Sequence, residues 1–221
     1  MKTIQITLFA LSFCLTGLGL QAQNMTSGMK DTEHNMAVAP ALPQDISPLL
    51  TGEKVPVIQL PDAGGKMQDV NALISSGPIV LVFYRGGWCP YCTRQLSGLQ
   101  EAMEPLEKMG YRLLAISTDS PGKLSETLGK QSLEYTLLSD ADLKVARAFG
   151  IAFQAPEGYH GFLPESSGGK NTGLLLPVPS VFILDREGVI RFEHINPDFR
   201  QRISPGLLIA VAGAIAKEDA M

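Results

Sequence analysis

Apolar runs and helix-like repeats alternate along most of the chain. The continuous β-branched and aromatic run at 78–84 (PIVLVFY) is typical of a central parallel strand that is buried on both faces. The segment 92–110 then repeats its large apolar residues at helical spacing, which predicts a helix that ends at Gly110. Strands and helices continue to alternate at 111–117, 119–131, 135–140 and 140–150.

Both ends of this alternation have the pattern of antiparallel hairpins. A strand at 57–60, a turn at 62–65 and a return strand predict one hairpin, and 179–195 with a turn at 185–188 predicts another. A capped helix at 204–220 follows. We therefore expect an α/β sandwich with a mostly parallel centre and an antiparallel edge, with ligands bound beyond the carboxyl ends of the strands.

One segment interrupts the alternation. Residues 152–178 are too long and too rich in glycine for an ordinary connection. Two interpretations stay open: a lid that carries Tyr159 and His160 over the cysteines described below, or a surface loop.

The amino terminus has the layout of a secretory signal peptide. Residues 1–22 combine one lysine, an apolar stretch and a small residue, Ala22, before the expected cleavage point. Residues 23–48 lack periodicity and predict a flexible segment, and the domain is expected at 49–221. The chain is thus predicted to be exported, to the periplasm or the medium, without stable membrane insertion.

Composition and charge limit the possible partners. The chain has 221 residues, 45% hydrophobic and 18% charged, which is typical of a single globular domain. Its net charge of −4 argues against nucleic acids and anionic membranes, because both attract basic surfaces.

The cysteines carry the candidate chemistry. Cys14 lies in the predicted signal peptide, which leaves Cys89 and Cys92 directly after the central strand and at the start of a helix. Free N–H groups and the helix dipole favour an anion there, so a thiolate is stabilised and made reactive. Arg85 or Arg94 could add positive charge if either side chain folds over the site.

Trp88 and Tyr91 are expected to shield the two sulfur atoms with apolar surface. Metal binding is disfavoured, since zinc needs four ligands and the three histidines are scattered. Haem attachment is excluded because Thr93, and not histidine, follows the pair. We predict no metal and no cofactor.

Three segments resemble a known family. FYRGGWCPYC, PVPSVFILDREGVIRFEHINPDF and LPDAGGKMQDVNALI are similar to the peroxiredoxin-like (redoxin, AhpC/TSA) branch of the thioredoxin superfamily, and the resemblance covers about 49–216. It implies a thioredoxin-like fold, with a mixed central sheet flanked by helices and an N-terminal β-hairpin extension. It also implies a thiol-dependent redox enzyme.

The resemblance allows two alignments of the cysteines. In the thioredoxin-type alignment, Trp88, Cys89 and Cys92 match the family motif, and Pro179 stands at the cis-proline position. Cys89 then attacks a substrate disulfide, and Cys92 resolves the mixed disulfide.

In the peroxiredoxin-type alignment, Cys92 attacks the peroxide and Cys89 condenses with the resulting sulfenic acid. That pattern has proline at position 85 and threonine at 89, where this chain has Arg85 and Cys89, and it has a later arginine where this chain has Pro179. Arg85 is therefore a candidate to supply the missing positive charge.

Both alignments imply a Cys89–Cys92 disulfide. The leading hypothesis is an antioxidant thiol peroxidase that reduces hydroperoxides and is recharged by a thioredoxin-like electron donor. The alternative is an exported thiol–disulfide oxidoreductase that acts on protein disulfides. The charged residues Asp198, Arg200 and Arg202 are expected to form a solvated face.

Overall fold

The apolar run around residue 80 forms the middle strand of the main sheet. A computed structural model describes residues 38–220. The strands are β1 Gln59–Pro61, β2 Met67–Asp69, β3 Ile79–Tyr84, β4 Arg112–Ser117, β5 Thr136–Ser139, β6 Ala152–Gln154, β7 Leu175–Pro177, β8 Ser180–Leu184 and β9 Ile190–Ile195. The helices are α1 Val70–Ser76, α2 Pro90–Lys108, α3 Pro121–Gln131, α4 Lys144–Ala148, α5 Leu163–Ser166 and α6 Pro205–Asp219.

The main sheet is mixed, in the order β5-β4-β3-β8-β9. β3 is parallel to β4 and β4 to β5, whereas β8 is antiparallel to both β3 and β9. Every residue of β3 is buried, as a central strand requires. The predicted parallel centre and antiparallel edge are confirmed.

Helices cover both faces of this sheet. Leu81 and Phe83 of β3 belong to one core cluster, which includes residues of α1 and α4, while Val82 and Tyr84 belong to another, which includes residues of α2 and α6. Alternate residues of a strand point to opposite faces, so the uninterrupted apolar run is explained by a helix layer on each side.

The predicted N-terminal hairpin is present, but it is followed by helix α1, which the sequence pattern did not predict. β1 and β2 pair antiparallel, with Leu60 opposite Gln68. The return strand is only three residues long. Asp69 then accepts a hydrogen bond from the Ala72 N–H at 3.0 Å and caps α1.

The described part of the predicted flexible segment, 38–48, lies against the domain. Ala39 is buried, and the Gln154 N–H donates to the Pro40 carbonyl at 2.8 Å. The predicted signal peptide, 1–22, lies outside the described residues. Within 38–220, no helix combines the length and apolar character needed to span a bilayer.

Residues 152–178 carry structure of their own. β6 and β7 pair antiparallel, and a short 3₁₀ turn and α5 lie between them. A small core cluster of this segment contains Phe153, Leu163 and Leu176. The segment is therefore a small folded layer rather than a loose surface loop.

Candidate active site

The cysteine motif occupies the turn from the carboxyl end of β3 into α2. Two glycines make this turn possible. A Cβ atom at Gly86, where φ is +150°, would collide with the Trp88 ring, and one at Gly87 would collide with the Thr127 side chain. The pair of glycines thus lets the chain pass closely between those side chains and places Cys89 at the helix start.

Cys89 is the N-cap residue of α2, and Cys92 lies in its first turn. Both are free thiols, with relative exposures of 2% for Cys89 and 0% for Cys92. The Cys89 side chain makes no capping hydrogen bond. The N–H groups of the first turn therefore remain available to an anion.

The two thiols have opposite acidities. Hydrogen bonding from Cys92 lowers the pKa of Cys89 to about 6, against burial, and the first-turn N–H groups and the charge of Arg85 add to this lowering. Burial raises the pKa of Cys92 well above its ordinary value, and the neighbouring Cys89 adds to that effect. These opposite directions favour Cys89 as the thiolate of the pair and Cys92 as the thiol that keeps its proton.

Arg202 corrects the prediction of a solvated charged face. Asp198 and Arg200 do form an exposed ion pair at 2.8 Å. Arg202 instead turns inward, and its Nη2 donates to the Cys92 sulfur at 3.6 Å. Its charge lowers the pKa of Cys92 and so opposes burial in part.

Arg85 also turns inward, whereas Arg94 is exposed. Arg85 is 3% exposed, and its Cζ lies 4.3 Å from the Phe199 ring centroid and 4.4 Å from that of Tyr159. Aromatic faces attract a guanidinium and compensate for part of its lost hydration. The structure thus places Arg85, and not Arg94, beside the cysteine pair.

Trp88 joins the motif to the layer at 152–178. Its ring centroid lies 4.7 Å from that of Phe162 and 5.6 Å from that of Tyr159. Of the two residues predicted for a lid, Tyr159 therefore packs against the motif. His160 instead contacts the Ala155 carbonyl of its own segment, with Nε2 at 2.7 Å.

Pro179 lies beside the motif because β8 pairs with β3, with Ser180 opposite Phe83. The described residues contain no cis peptide bond, so Pro179 is not the cis-proline that the thioredoxin-type alignment requires. Pro179 and Arg85 both line a cavity of about 440 Å³, whose wall also includes Tyr159 and Phe199.

Asp119 is a further site residue, which was not predicted from the sequence. Its Oδ2 accepts the Gly87 N–H at 2.7 Å, so it fixes the turn before Cys89. Burial raises the pKa of Asp119 to about 6. Its place two residues after β4, at the same sheet edge as the cysteines, was the available signal.

Within the described residues, no cluster of three or more histidine, cysteine or acidic side chains is arranged to hold a metal ion. The site thus consists of two thiols, the inward guanidinium groups of Arg85 and Arg202, and an aromatic cover formed by Trp88, Tyr159 and Phe162.

Comparisons with known proteins identify similar sequences and similar folds. The AhpC/TSA family model matches residues 51–193. Peroxiredoxin Bcp of Escherichia coli K12 is 36% identical over 156 residues, which cover 70% of this chain and 90% of that protein.

Two solved structures share the fold. Peroxidoxin BcpB of Mycobacterium tuberculosis matches with a TM-score of 0.62 and 24% identity, over 76% of this chain and 98% of that one. The Xanthomonas campestris bacterioferritin comigratory protein, solved in a study of its alkyl peroxide reduction activity, matches with a TM-score of 0.59 and 20% identity, over 78% and 99%. These matches confirm the expected thioredoxin-like fold.

Proposed function

This chain belongs to the AhpC/TSA family and is a thiol peroxidase, and from that premise we propose that it reduces hydroperoxides through a Cys89/Cys92 dithiol–disulfide cycle. The observation that carries the proposal is the placement of Cys89 at the start of α2, with a second thiol, Cys92, in the first turn of the same helix. A thiolate beside a protonated thiol has the two groups that the cycle needs.

The first step is attack by the Cys89 thiolate on one oxygen of the hydroperoxide. An S–O bond forms, the O–O bond breaks, and the second oxygen leaves as an alcohol or water after it takes a proton. Cys89 is oxidised to a sulfenic acid. Cys89 is thus the nucleophile, as in the thioredoxin-type alignment. Its substrate is a peroxide, as in the peroxiredoxin-type alignment.

In the second step, Cys92 loses its proton and attacks the sulfur of the Cys89 sulfenic acid. The disulfide forms and the hydroxyl group leaves as water. Arg202 supports this step because its positive charge favours the Cys92 thiolate. A thioredoxin-like dithiol donor then returns two electrons to the disulfide.

The competing function is thiol exchange with protein disulfides. The low pKa of Cys89 suits that reaction as well. Against it, the two cysteines are 2% and 0% exposed, which favours a small oxidant over the disulfide of a folded protein.

Burial of the cysteines also limits access by a protein electron donor. We therefore infer that the cover of Trp88, Tyr159 and Phe162 moves aside when the disulfide is reduced.

The test is to treat reduced Cys92→Ser and Cys89→Ser with hydroperoxide and a sulfenic-acid probe. We expect Cys92→Ser to consume one equivalent of peroxide and to be labelled on Cys89, while Cys89→Ser is unlabelled. Labelling of Cys92 in Cys89→Ser alone would keep the peroxidase and reverse the two roles. If the wild type ignores peroxide and Cys92→Ser traps a protein through Cys89, the exchange function is correct.

We further propose that the chain is exported and loses residues 1–22. This rests on the charge and apolar pattern of that segment. N-terminal sequencing of protein recovered outside the cytoplasm is expected to begin at Gln23, and an intact Met1 in that fraction would contradict cleavage.

A further inference from the structure

Residues 38–49 form a strap that is hydrogen-bonded to the main chain around β6. The Leu49 N–H donates to the Phe149 carbonyl at 3.0 Å, and the Gln154 N–H donates to the Pro40 carbonyl at 2.8 Å. One bond lies just before β6 and the other at its last residue. The strap precedes the range that the family model matches, so it is an addition to the part of the chain that defines the family.

Ile46 joins the strap to two hydrophobic clusters. It packs against the main cluster that includes residues of α1 and α4, and it also packs against the small cluster of the layer at 152–178. Ile195 of β9 contacts both clusters as well. Loss of the Ile46 contact therefore weakens the attachment of the layer to the main domain, while Ile195 still holds it.

Gly150 allows the strap to approach β6 closely. Its φ is +68°, and a Cβ atom at this position would collide with the carbonyl oxygen of Ser47 in the strap. Glycine thus meets two requirements at once, a left-handed backbone and a close contact between two backbone segments. A side chain at position 150 would push the strap away from the start of the layer.

The layer carries two of the three residues that cover the cysteine pair. Tyr159 and Phe162 follow β6, and both rings pack against Trp88, which precedes Cys89. The strap and the cover are therefore connected through β6. Release of the strap loosens the segment from which the cover projects.

We propose that the strap is a positioning segment, which holds the cover closed over the cysteine pair and so sets how fast a protein dithiol reaches the Cys89–Cys92 disulfide. The inference rests on the proposed dithiol–disulfide cycle. In the step concerned, a donor thiolate attacks the Cys89 sulfur, the bond to Cys92 breaks, and Cys92 takes up a proton. The second donor thiol then displaces Cys89 as a thiol, and the donor leaves as a disulfide.

The experiment compares Ile46→Ala with the conservative variant Ile46→Val and the matched control Leu42→Ala, which removes an exposed side chain of the same strap. Each peroxide-oxidised protein is reduced by a bacterial thioredoxin or by dithiothreitol, and loss of the disulfide is followed by alkylation and mass spectrometry. We expect thioredoxin to reduce Ile46→Ala roughly three- to tenfold faster than the wild type, with a smaller change for dithiothreitol. Ile46→Val and Leu42→Ala should match the wild type.

The rate of the first oxidation by hydrogen peroxide should stay the same in all these variants, because a small oxidant does not need the cover to open. A general loss of structure would instead alter oxidation and reduction together. Far-UV circular dichroism confirms that each variant is folded.

A second variant displaces the strap without altering any of its residues. Gly150→Ala places a methyl group against the Ser47 carbonyl. Gly110→Ala is its matched control, because Gly110 also has a positive φ, +84°, but has open space around it. Gly150→Ala should speed reduction by thioredoxin, and Gly110→Ala should not.

Backbone hydrogen exchange follows the two motions separately. Exchange of the Gln154 amide reports release of the strap, and exchange at 159–166 reports opening of the cover. Both should become faster in Ile46→Ala and Gly150→Ala. Faster exchange of Gln154 with an unchanged rate of reduction by thioredoxin would overturn the proposal.

Two further results would also overturn it. Slower reduction by thioredoxin would make the strap part of the surface that the donor binds, and equal acceleration by thioredoxin and dithiothreitol would place the effect on the disulfide itself. A wild type that ignores peroxide would refute the proposed function, and the exchange measurements would then still test whether the strap holds the cover.

Discussion

Helices α2 and α6 begin with the same two-residue pattern but differ in what their N-cap side chain does. α6 starts at Ser204–Pro205, and the Ser204 hydroxyl accepts the Leu207 N–H at 3.2 Å. α2 starts at Cys89–Pro90, and its cap makes no such bond. In α6 the first-turn donors are partly satisfied within the helix, while in α2 they are left to stabilise a thiolate.

The two helices lie on the same face of the sheet. Leu96 of α2 and Leu208 of α6 belong to the same core cluster. Arg202, two residues before the α6 cap, reaches the Cys92 sulfur at 3.6 Å. The segment that leads into α6 therefore places a cation beside a thiol of α2. The comparison shows that the N-cap residue stabilises the helix in α6, whereas in α2 it is a reactive group.

Removal of the Cys92 thiol should have the largest effect on the reactivity of Cys89 at the start of α2. Because Cys92 lowers the pKa of Cys89 to about 6, the wild-type rate of peroxide reaction should rise with pH up to about 6 and level off above 7. In Cys92→Ala the Cys89 pKa should return toward 8.5, so the rate at pH 7 should fall by roughly tenfold or more. Stopped-flow peroxide consumption across pH measures this.

Cys92→Ser is the matched control, since its hydroxyl group can still donate a hydrogen bond. Its rate profile should stay close to that of the wild type. Identical profiles for the alanine and serine variants would show that the hydrogen bond does not set the acidity of Cys89.

Arg202→Met should have the next largest effect. Loss of the charge should raise the pKa of Cys92 further and slow disulfide formation by roughly three- to tenfold, without slowing the first oxidation of Cys89. Chemical quench with an alkylating reagent separates the two steps. Arg200→Met, which removes an exposed charge that is paired with Asp198, should leave disulfide formation unchanged, and equal slowing in both variants would contradict the specific contact.

Ser204→Ala should have the smallest effect, and only on folding. Loss of the cap should lower the free energy of unfolding by about 1 kcal/mol. Thermal unfolding measures this, and Cys89→Ala serves as the comparison. Because Cys89 is buried, Cys89→Ala also loses packing, but its cost should grow as the pH rises above about 6 and the thiolate forms, whereas the cost of Ser204→Ala should not change with pH.

A cost of Cys89→Ala that does not change with pH would remove the distinction between the two helix starts. Ser204→Thr, which retains a capping oxygen, is expected to unfold near the wild-type temperature.

Most of the fold follows from the sequence because periodicity reports burial. The run at 78–84 predicted the central strand, and the closing hairpin and the last helix are where the pattern put them. Helix α1 was missed because it is short and follows a strand without a loop, although Asp69 and the apolar residues Val70 and Ile74 carried its signal.

Only those site residues that are neighbours in the sequence could be predicted. Cys89, Cys92 and Trp88 are adjacent in sequence, so their proximity needed no knowledge of the fold. Arg202 lies 110 residues from Cys92, and a charge pattern alone gives no sign that one arginine of a polar stretch turns inward. The direction of the Arg85 side chain likewise depends on Tyr159 and Phe199, which the fold brings to it.

The position of Trp88 has a consequence for observing the protein at work. It is the single tryptophan of the chain, it precedes Cys89, and its ring contacts Tyr159 and Phe162 of the cover. Its ultraviolet emission therefore arises from one place, where a nearby disulfide would quench it and a displaced cover would expose it to water. The chain thus carries a native optical reporter of its own oxidation state, readable in the unmodified protein and in real time.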